Sequence, residues 1–438
     1  MSSLLDSIGD VDYQLPVEGD EMAQGTSPFL THRAVYDALV LEAKLRQSLV
    51  TVRSLGSRGL LVAAMETFDG VPTFWSRWCQ QAFVCATDGS PEAYLRSLEQ
   101  MLDRTGARVL IISSDAHAEL IHRHREQLEK RVHIALAKEP ALGIALNKER
   151  TLEVAERLGL RVPRAVTVRS VSDVEAALHE IGLPAVVKPV QSWAWNEQRG
   201  VGLKSKLVTT PEEARRAVEE LTSPGVVTLF QQFLSGRREA VSFLYAQGQF
   251  YARFAQWAKR TAPPLGGTSV LRQSIALPSD IGEQAERLVR EIELEGYSEV
   301  EFRRDSAGHP YLMEINPRLS ASVELAVRAG IDFPYLLYQW AAGEQITEVK
   351  GYRVGNWMRY LRGDLATTVA ALQQRGRPGV PSPARAIRDF CASFFVPMRY
   401  DYFDWRDPVP ALTASVDFAR FISGTAKKGL SRRSESEH

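Results

Sequence analysis

Residues 297–318 read YSEVEFRRDSAGHPYLMEINPR. Two runs rich in β-branched, aromatic and aliphatic residues flank a turn-forming stretch at 305–310, the pattern of a β-hairpin. In the second run Tyr311, Met313 and Ile315 share one face. Leu312, Glu314 and Asn316 share the other, because strand side chains alternate. A turn centred between Ala307 and Gly308 sets Glu301 directly opposite Glu314. Cross-strand partners have Cβ atoms about 5 Å apart, and like charges there are destabilising. A hard divalent cation neutralises such a pair, and Asn316 adds an oxygen on the same face. Magnesium takes one or two carboxylates, waters and substrate phosphates. Glu301, Glu314 and Asn316 therefore read as metal ligands for Mg-ATP, with Mn2+ as a substitute ion, and Arg318 is placed to hold a phosphate. On an isolated hairpin the same residues would read as a polar outer face.

The flanking sequence bears on that choice. Upstream, GLLVAAM and ARVLIISSD read as strands, and EAYLRSLEQMLDRTG between them as an amphipathic helix. AVYDAL and SLVTVRS are read as bracketing a short helix, with LGSRG as a loop whose Gly56 and Gly59 serve a structural turn. This alternation predicts a Rossmann-like α/β domain up to about residue 130. From Leu142 onward the pattern is helix, strand after Pro163, helix, then the strand LPAVVKPV and the loop QSWAWNEQRGVG. A lysine on an apolar strand is costly unless paired, which singles out Lys188. Lys148, at the start of a helix, has a solvated role open to it as well. Arg260 and Arg272 flank the loop TAPPLGGTS; they read either as ligands of a γ-phosphate or substrate carboxylate, or as solvated surface.

VEFRRDSAGHPYLMEINPRLSAS resembles the C-terminal signature of the ATP-grasp superfamily, a Glu on one strand followed by E-x-N-x-R on the next. Biotin carboxylase and carbamoyl-phosphate synthetase carry the same arrangement. The resemblance covers about residues 34–345. It implies that Lys148 and Lys188 are the nucleotide-binding lysines. It also implies that FQQFL contributes Gln231, Gln232, Phe233 and Leu234 at the adenine hinge, and that Glu239 meets the ribose. Glu301, Glu314 and Asn316 are then the expected magnesium ligands and Arg318 the catalytic arginine, with Arg272 and Arg260 as further catalytic candidates. PPLGGTSVLRQSIALP and VELAVRAGIDFPYLLYQWAAG look like the carboxylate–amine ligase branch that contains D-aspartate ligase.

The phosphate loop is poorer in glycine than the family's usual loop. After N-P-R, the segment Leu319, Ser320, Ala321, Ser322 stands where the branch often carries a bulky aromatic, which widens the acceptor side.

The expected fold class is mixed α/β and α+β. A flexible N-terminus (1–28) leads into a Rossmann-like pre-ATP-grasp domain (29–130). A two-subdomain ATP-grasp fold (131–345) follows, then a mostly helical C-terminal extension (346–438) with a frayed tail. The implied function is ATP-dependent joining of a small-molecule carboxylate to an amine, through an acyl phosphate with release of ADP. The rivals are a bicarbonate-activating, carboxylase-like enzyme and a non-catalytic ATP-binding module.

Composition narrows the field. Lys plus Arg (53) equals Asp plus Glu (53), so the basic excess of a general nucleic-acid binder is missing. With 3 cysteines and no CxxC pair, neither a disulfide framework nor a zinc knuckle is expected, and a cytoplasmic setting fits. The eight histidines lack metal spacing. The N-terminus lacks a signal-peptide pattern, and no apolar run reaches the roughly 20 residues that span a bilayer. The basic amphipathic end reads as a docked helix rather than a membrane contact. A homodimer is an admissible assembly.

Overall fold

The computed structural model describes residues 35–416, except 86, 88, 192, 196–199, 223–224 and 265. The expected flexible N-terminus, the tail beyond 416 and the centre of the phosphate loop lie outside the described residues.

Five parallel strands open the chain: β1 (Ala38–Val40), β2 (Val62–Glu66), β3 (Gln81–Val84), β4 (Val109–Ile111) and β5 (His133–Ile134). Their order is β3-β2-β1-β4-β5, a doubly wound arrangement with its switch point between β1 and β4. β1 and β4 are wholly buried, as strands covered on both faces must be. β5 carries this sheet beyond residue 130. The stretch SLVTVRS, read as a strand, lies instead in the helix Arg46–Gly56. Every residue of that helix is buried, and the β-branched run Val50, Thr51 and Val52 mimics a strand although Gln47, Thr51 and Ser54 fall at helical spacing. Gly56 ends the helix under Trp78, where an added Cβ would fall 2.7 Å from the Trp78 Cβ.

A second, antiparallel sheet holds β6 (Ala165–Val168), β7 (Ala185–Pro189), β10 (Lys206–Val208) and β11 (Thr228–Gln232) in the order β10-β7-β11-β6. The short hairpin β8 (Trp193–Trp195) and β9 (Gly200–Gly202) follows β7. One face of the sheet packs Val187, Val208 and Phe230 against the helices Val174–Ile181 and Pro211–Thr222. The opposite face presents Lys188, Leu229 and Gln231, since Leu229 pairs with Lys188 and alternates with Phe230.

The third sheet has seven strands: β12 (Arg238–Ala246), β13 (Gln249–Ala262), β14 (Thr268–Ile275), β15 (Gly296–Arg304), β16 (Pro310–Asn316), β17 (Trp357–Arg359) and β18 (Arg399–Tyr400). Their order is β16-β15-β12-β13-β14-β17-β18. Helix Ser279–Glu291 closes one face through Ile281, Ala285 and Leu288 against Val241, Phe243, Val300 and Phe302.

The region after 346 contains the helices Leu361–Gln373 and Pro383–Ala392. It also supplies β17 and β18, which extend the seven-stranded sheet. Strands of three and two residues carry too little alternation to be read from sequence. Past β18 the loop carries Asp401, Asp404 and Asp407. Asp401 pairs with Arg46 and Arg272, Asp404 with Arg328 at 2.6 Å, and Asp407 with Arg53 at 2.8 Å. Arg46 and Arg53 belong to the first helix of the parallel domain, so this loop ties that domain to the seven-stranded sheet. Among the described residues, no helix is long and apolar enough to cross a membrane.

Candidate active site

The hairpin at β15 and β16 sets Glu301 opposite Glu314 and Glu299 opposite Asn316. The pairing comes about differently from the simple turn. Arg304 pairs with Pro310, so the turn centres on Ala307, half a residue earlier than the sequence reading placed it. A bulge between Phe302 and Glu301 absorbs Met313 and restores the register. The bulge also corrects the face of Leu312. Leu312 pairs with Phe302 and joins the core with Val300 and Ile315, while Glu314 and Asn316 face the second sheet.

Basic groups surround the carboxylate pair. Arg238 Nη2 donates to Glu301 Oε1 at 2.5 Å, and Asn316 Nδ2 donates to the same oxygen at 3.1 Å. Lys148 Nζ lies 3.6 Å from Glu314 Oε2. Lys148 opens the helix Lys148–Arg157, whose Asn147 cap accepts from Arg150 N, and its own backbone N–H donates to Val190 O at 3.1 Å. Burial, with Glu314 and Glu299 adding to it, holds the Glu301 carboxyl above its ordinary value against the pull of Arg238. Glu314 is held below its ordinary value: burial pushes it up, but Lys148, Lys188, Arg238 and Arg318 outweigh that. Burial pushes the Lys188 ammonium down to about 8, with Lys148 adding to the fall and Glu314 opposing it. Lys148, Lys188, Glu301 and Glu314, from four separate elements, thus meet in one field between the second and third sheets.

Arg318 follows β16 and reaches across to the parallel domain. Its Nε and Nη2 donate to Asp115 at 2.9 and 3.1 Å, and Nη2 also donates to Asn316 Oδ1 at 3.1 Å. Asp115 begins the helix Asp115–Arg123 just after β4, beside the switch point of the parallel sheet. At the same point Glu42, after β1, meets His117 Nδ1 at 2.8 Å, and its carboxyl is lowered to about 2: burial opposes this, and His117 with Ser114 and Lys44 overcomes it.

At the predicted adenine hinge, Gln231 and Leu234 are buried while Gln232 and Phe233 are half-buried. The Gln231 Oε1 is enclosed without a hydrogen-bond donor among the described residues. An enclosed amide oxygen of this kind suits an N–H donor such as a base amino group.

Three expected site residues are placed elsewhere. Glu239 alternates with Ala240, the partner of Glu301, and so faces the opposite side of β12. It is paired there with Arg237 at 3.0 Å and Arg304 at 2.7 Å. Arg260 is held by Asp364 at 2.5 and 2.7 Å. Arg272 is fully buried against Asp401, at 2.6 Å through Nη2 and 3.1 Å through Nη1. The C-terminal region thus supplies carboxylates that neutralise both arginines, where a substrate anion or a solvated surface had been expected.

Sequence reading passed over Arg238 and Glu299. Both were findable: Glu299 lies two residues before Glu301 on the same strand face, and Arg238 opens the strand that pairs with β15.

Residues 229–361 match the family profile described as "ATP-grasp in the biosynthetic pathway with Ter operon". The chain is 25% identical over 234 residues to the carbamoyl phosphate synthase large chain of Thermotoga neapolitana, covering 51% of this chain and 21% of that protein. It is 25% identical over 209 residues to D-alanine–D-alanine ligase of Ectopseudomonas mendocina, covering 45% of this chain and 64% of that one. The chain therefore spans less than two thirds of either relative. Among solved structures, the biotin carboxylase domain of Hydrogenobacter thermophilus 2-oxoglutarate carboxylase superposes with a TM-score of 0.59 at 16% identity, covering 74% of this chain and 73% of that one. The L-amino acid ligase of Bacillus licheniformis superposes with a TM-score of 0.54 at 19% identity, covering 71% and 75%. With Lys188 of the second sheet meeting Glu314 of the third, a segment at 229–361 that matches an ATP-grasp profile and these structural likenesses, this chain has the ATP-grasp fold.

Proposed function

We propose that the protein is an ATP-dependent carboxylate–amine ligase that forms an acyl phosphate and releases ADP. The observation that carries this reading is the meeting of Glu301, Glu314 and Asn316 with Lys148 and Lys188 between two sheets, with Arg318 at its rim. The donor set fits Mg2+: two opposed carboxylates and an amide oxygen are hard ligands, and the like charges of the glutamates favour a cation between them. When bound, the ion supplies charge neutralisation for the transferred phosphoryl group.

The chain's own groups do the rest. Gln231 accepts from the adenine, and Lys148 and Lys188 neutralise phosphate oxygens. A substrate carboxylate oxygen attacks the γ-phosphorus; an O–P bond forms, the bond to the β-phosphate oxygen breaks, and ADP leaves. The nitrogen of an amine then attacks the acyl carbon. The C–N bond forms, the C–O bond to phosphate breaks, and the nitrogen loses a proton. Arg318, fixed by Asp115 and Asn316, stabilises charge on the departing phosphate. Positioning and electrostatics supply most of the rate in such a transfer. The biotin carboxylase and L-amino acid ligase likenesses support the fold and are consistent with either an organic acid or bicarbonate as the activated group.

The test is ADP release with ATP, Mg2+ and a pooled carboxylate library, with hydroxylamine as a generic amine and mass spectrometry to find hydroxamates. A hydroxamate establishes carboxylate activation and names the acid. Bicarbonate-stimulated ADP release without any hydroxamate would move the assignment to a carboxylase-like enzyme.

Lys188 adds a pH prediction. Its ammonium sits at about 8 among its present neighbours, and phosphate oxygens brought next to it raise that value. ATP binding is therefore expected to take up a proton above pH 8 and to weaken as pH climbs further. Calorimetry at pH 8.5 in buffers of different ionisation enthalpy measures this uptake. Binding with no proton exchange would remove Lys188 from the phosphate site.

A further inference from the structure

Beside the metal-type carboxylates lies a second polar cluster that the reaction scheme does not use. Glu299 and Gln256 are only 4% and 5% exposed. Glu299 Oε2 accepts from Gln256 Nε2 at 2.8 Å, Ser320 Oγ at 3.0 Å, Ser322 Oγ at 3.2 Å and Ser242 Oγ at 3.3 Å. Gln256 Nε2 also donates to Ser322 Oγ at 2.6 Å, and the Tyr297 hydroxyl lies 3.2 Å from both Ser242 Oγ and Ser320 Oγ. Ser320 and Ser322 stand 2.9 Å apart.

Counting protons decides what this cluster lacks. Every donor in it, three serine hydroxyls, one phenol and one amide NH2, already points at Glu299 Oε2 or at a hydroxyl within the group. Glu299 Oε1 receives no hydrogen bond among the described residues. Gln256 Oε1 is enclosed without a donor. The amide cannot be reversed to cure this, because its oxygen would then face the Glu299 carboxylate. Gln256 Oε1 is thus a buried acceptor left unpaired, which is costly, and Glu299 Oε1 has room for a further donor. The group that completes the cluster must donate hydrogen bonds, as the N–H groups of an amine do.

We propose that Glu299 and Gln256 form the binding site for the amine nitrogen of the second substrate. The inference rests on the ligase reading above and assigns its acceptor side. Position supports it. Glu299 pairs with Asn316 and lies on the same face as Glu301, two residues along the strand, or about 7 Å. A nitrogen held there stands next to the place where the acyl phosphate forms. The small residues Ser320 and Ser322 provide both the room and the hydroxyls that anchor Glu299.

The substitution Glu299→Gln tests this with nearly unchanged volume. The new amide must aim its oxygen at the four donors, so its NH2 takes the place of Oε1 and an acceptor becomes a donor. The KM for hydroxylamine in hydroxamate formation is expected to rise about ten- to hundredfold, with ATP affinity, measured by calorimetry, unaltered. On the unsubstituted protein, methylammonium should compete with hydroxylamine, whereas tetramethylammonium, of equal charge but without N–H, should not. This second measurement decides the matter if the variant does not fold. An unaltered KM in the folded variant, or competition by both cations or by neither, overturns the proposal. So does lost ATP affinity in the folded variant, which would make the cluster a scaffold for the metal-type pair. Absence of any hydroxamate from the unsubstituted protein sinks the ligase reading and the amine site with it; hydroxamate formation with an unmoved KM sinks the amine site alone.

Discussion

Glu314→Ala is expected to lower ADP formation about a thousandfold or more, the scale of removing an electrostatic group aimed at developing charge. Two effects act in the same direction. The substitution removes one of the opposed carboxylates offered to the metal. It also removes the anion that supports the charged form of Lys188 against burial, so this lysine loses positive charge just where phosphate oxygens are to be held. The fold should lose some stability as well: the cations around Glu314 outweigh its like-charge contact with Glu301, so the carboxylate is held below its ordinary value and its charged form stabilises the fold. Its partial exposure keeps that loss small beside the loss of turnover. A coupled ADP assay beside a thermal melt separates the two consequences. Lost turnover in a protein that still melts cooperatively, a little below the natural one, fits the proposed role, and near-normal turnover would place the metal elsewhere.

Asp401→Ala should produce the largest loss of stability. Asp401 is the shared counter-charge of Arg272 and Arg46, which are 0% and 9% exposed. Stripping a buried ion pair of one partner costs about 3–5 kcal/mol, because the remaining charge stays desolvated and unpaired. Here two guanidiniums are left so. The Arg272 Nε already has no acceptor among the described residues, which leaves this side chain little to fall back on. For a chain this long the cost corresponds to a fall of about 3–5 °C in melting temperature. The pH dependence has a definite sign. Burial pushes the Asp401 carboxyl up, but Arg272 and then Arg46 outweigh it and hold it below the ordinary carboxylate range. Its stabilisation is therefore complete above that range and is lost as pH falls through its depressed value. Melting curves of the natural protein and of Asp401→Asn should converge in acid. A constant gap down to low pH would mean that shape, and not charge, is what Asp401 contributes.

Much of the candidate site is legible in the chain because it is local. Strand alternation of period two, in a hairpin whose turn is marked by Asp305, Gly308 and Pro310, puts Glu314 and Asn316 on one face; their register against Glu301 also needs the bulge at Met313, because the turn centred on Ala307 would alone set Glu301 against Met313. The cost of a lysine on an apolar strand marks Lys188 for the same kind of reason, since its neighbours in sequence settle its burial. Equal numbers of acidic and basic residues and three unpaired cysteines narrow the function without any coordinates.

What spacing does not carry is the partner of a charge across a long stretch of chain. Arg260 and Arg272 look free in sequence, yet Asp364 and Asp401, 104 and 129 residues away, take them. Likewise Arg318 is met by Asp115 from another domain. A single bulged residue, Met313, decides that Leu312 faces the core while Glu314 keeps its register, and bulges leave no periodic trace. The helix Arg46–Gly56, buried on every side, carries a β-branched run at Val50, Thr51 and Val52 that reads locally as a strand. The hydroxyls and amide around Glu299 come from β12, β13, β15 and the turn after β16, so packing alone could bring them together. Local alternation encodes which way a side chain points; the free energy of burying charge, summed over elements far apart in the chain, decides what it meets there.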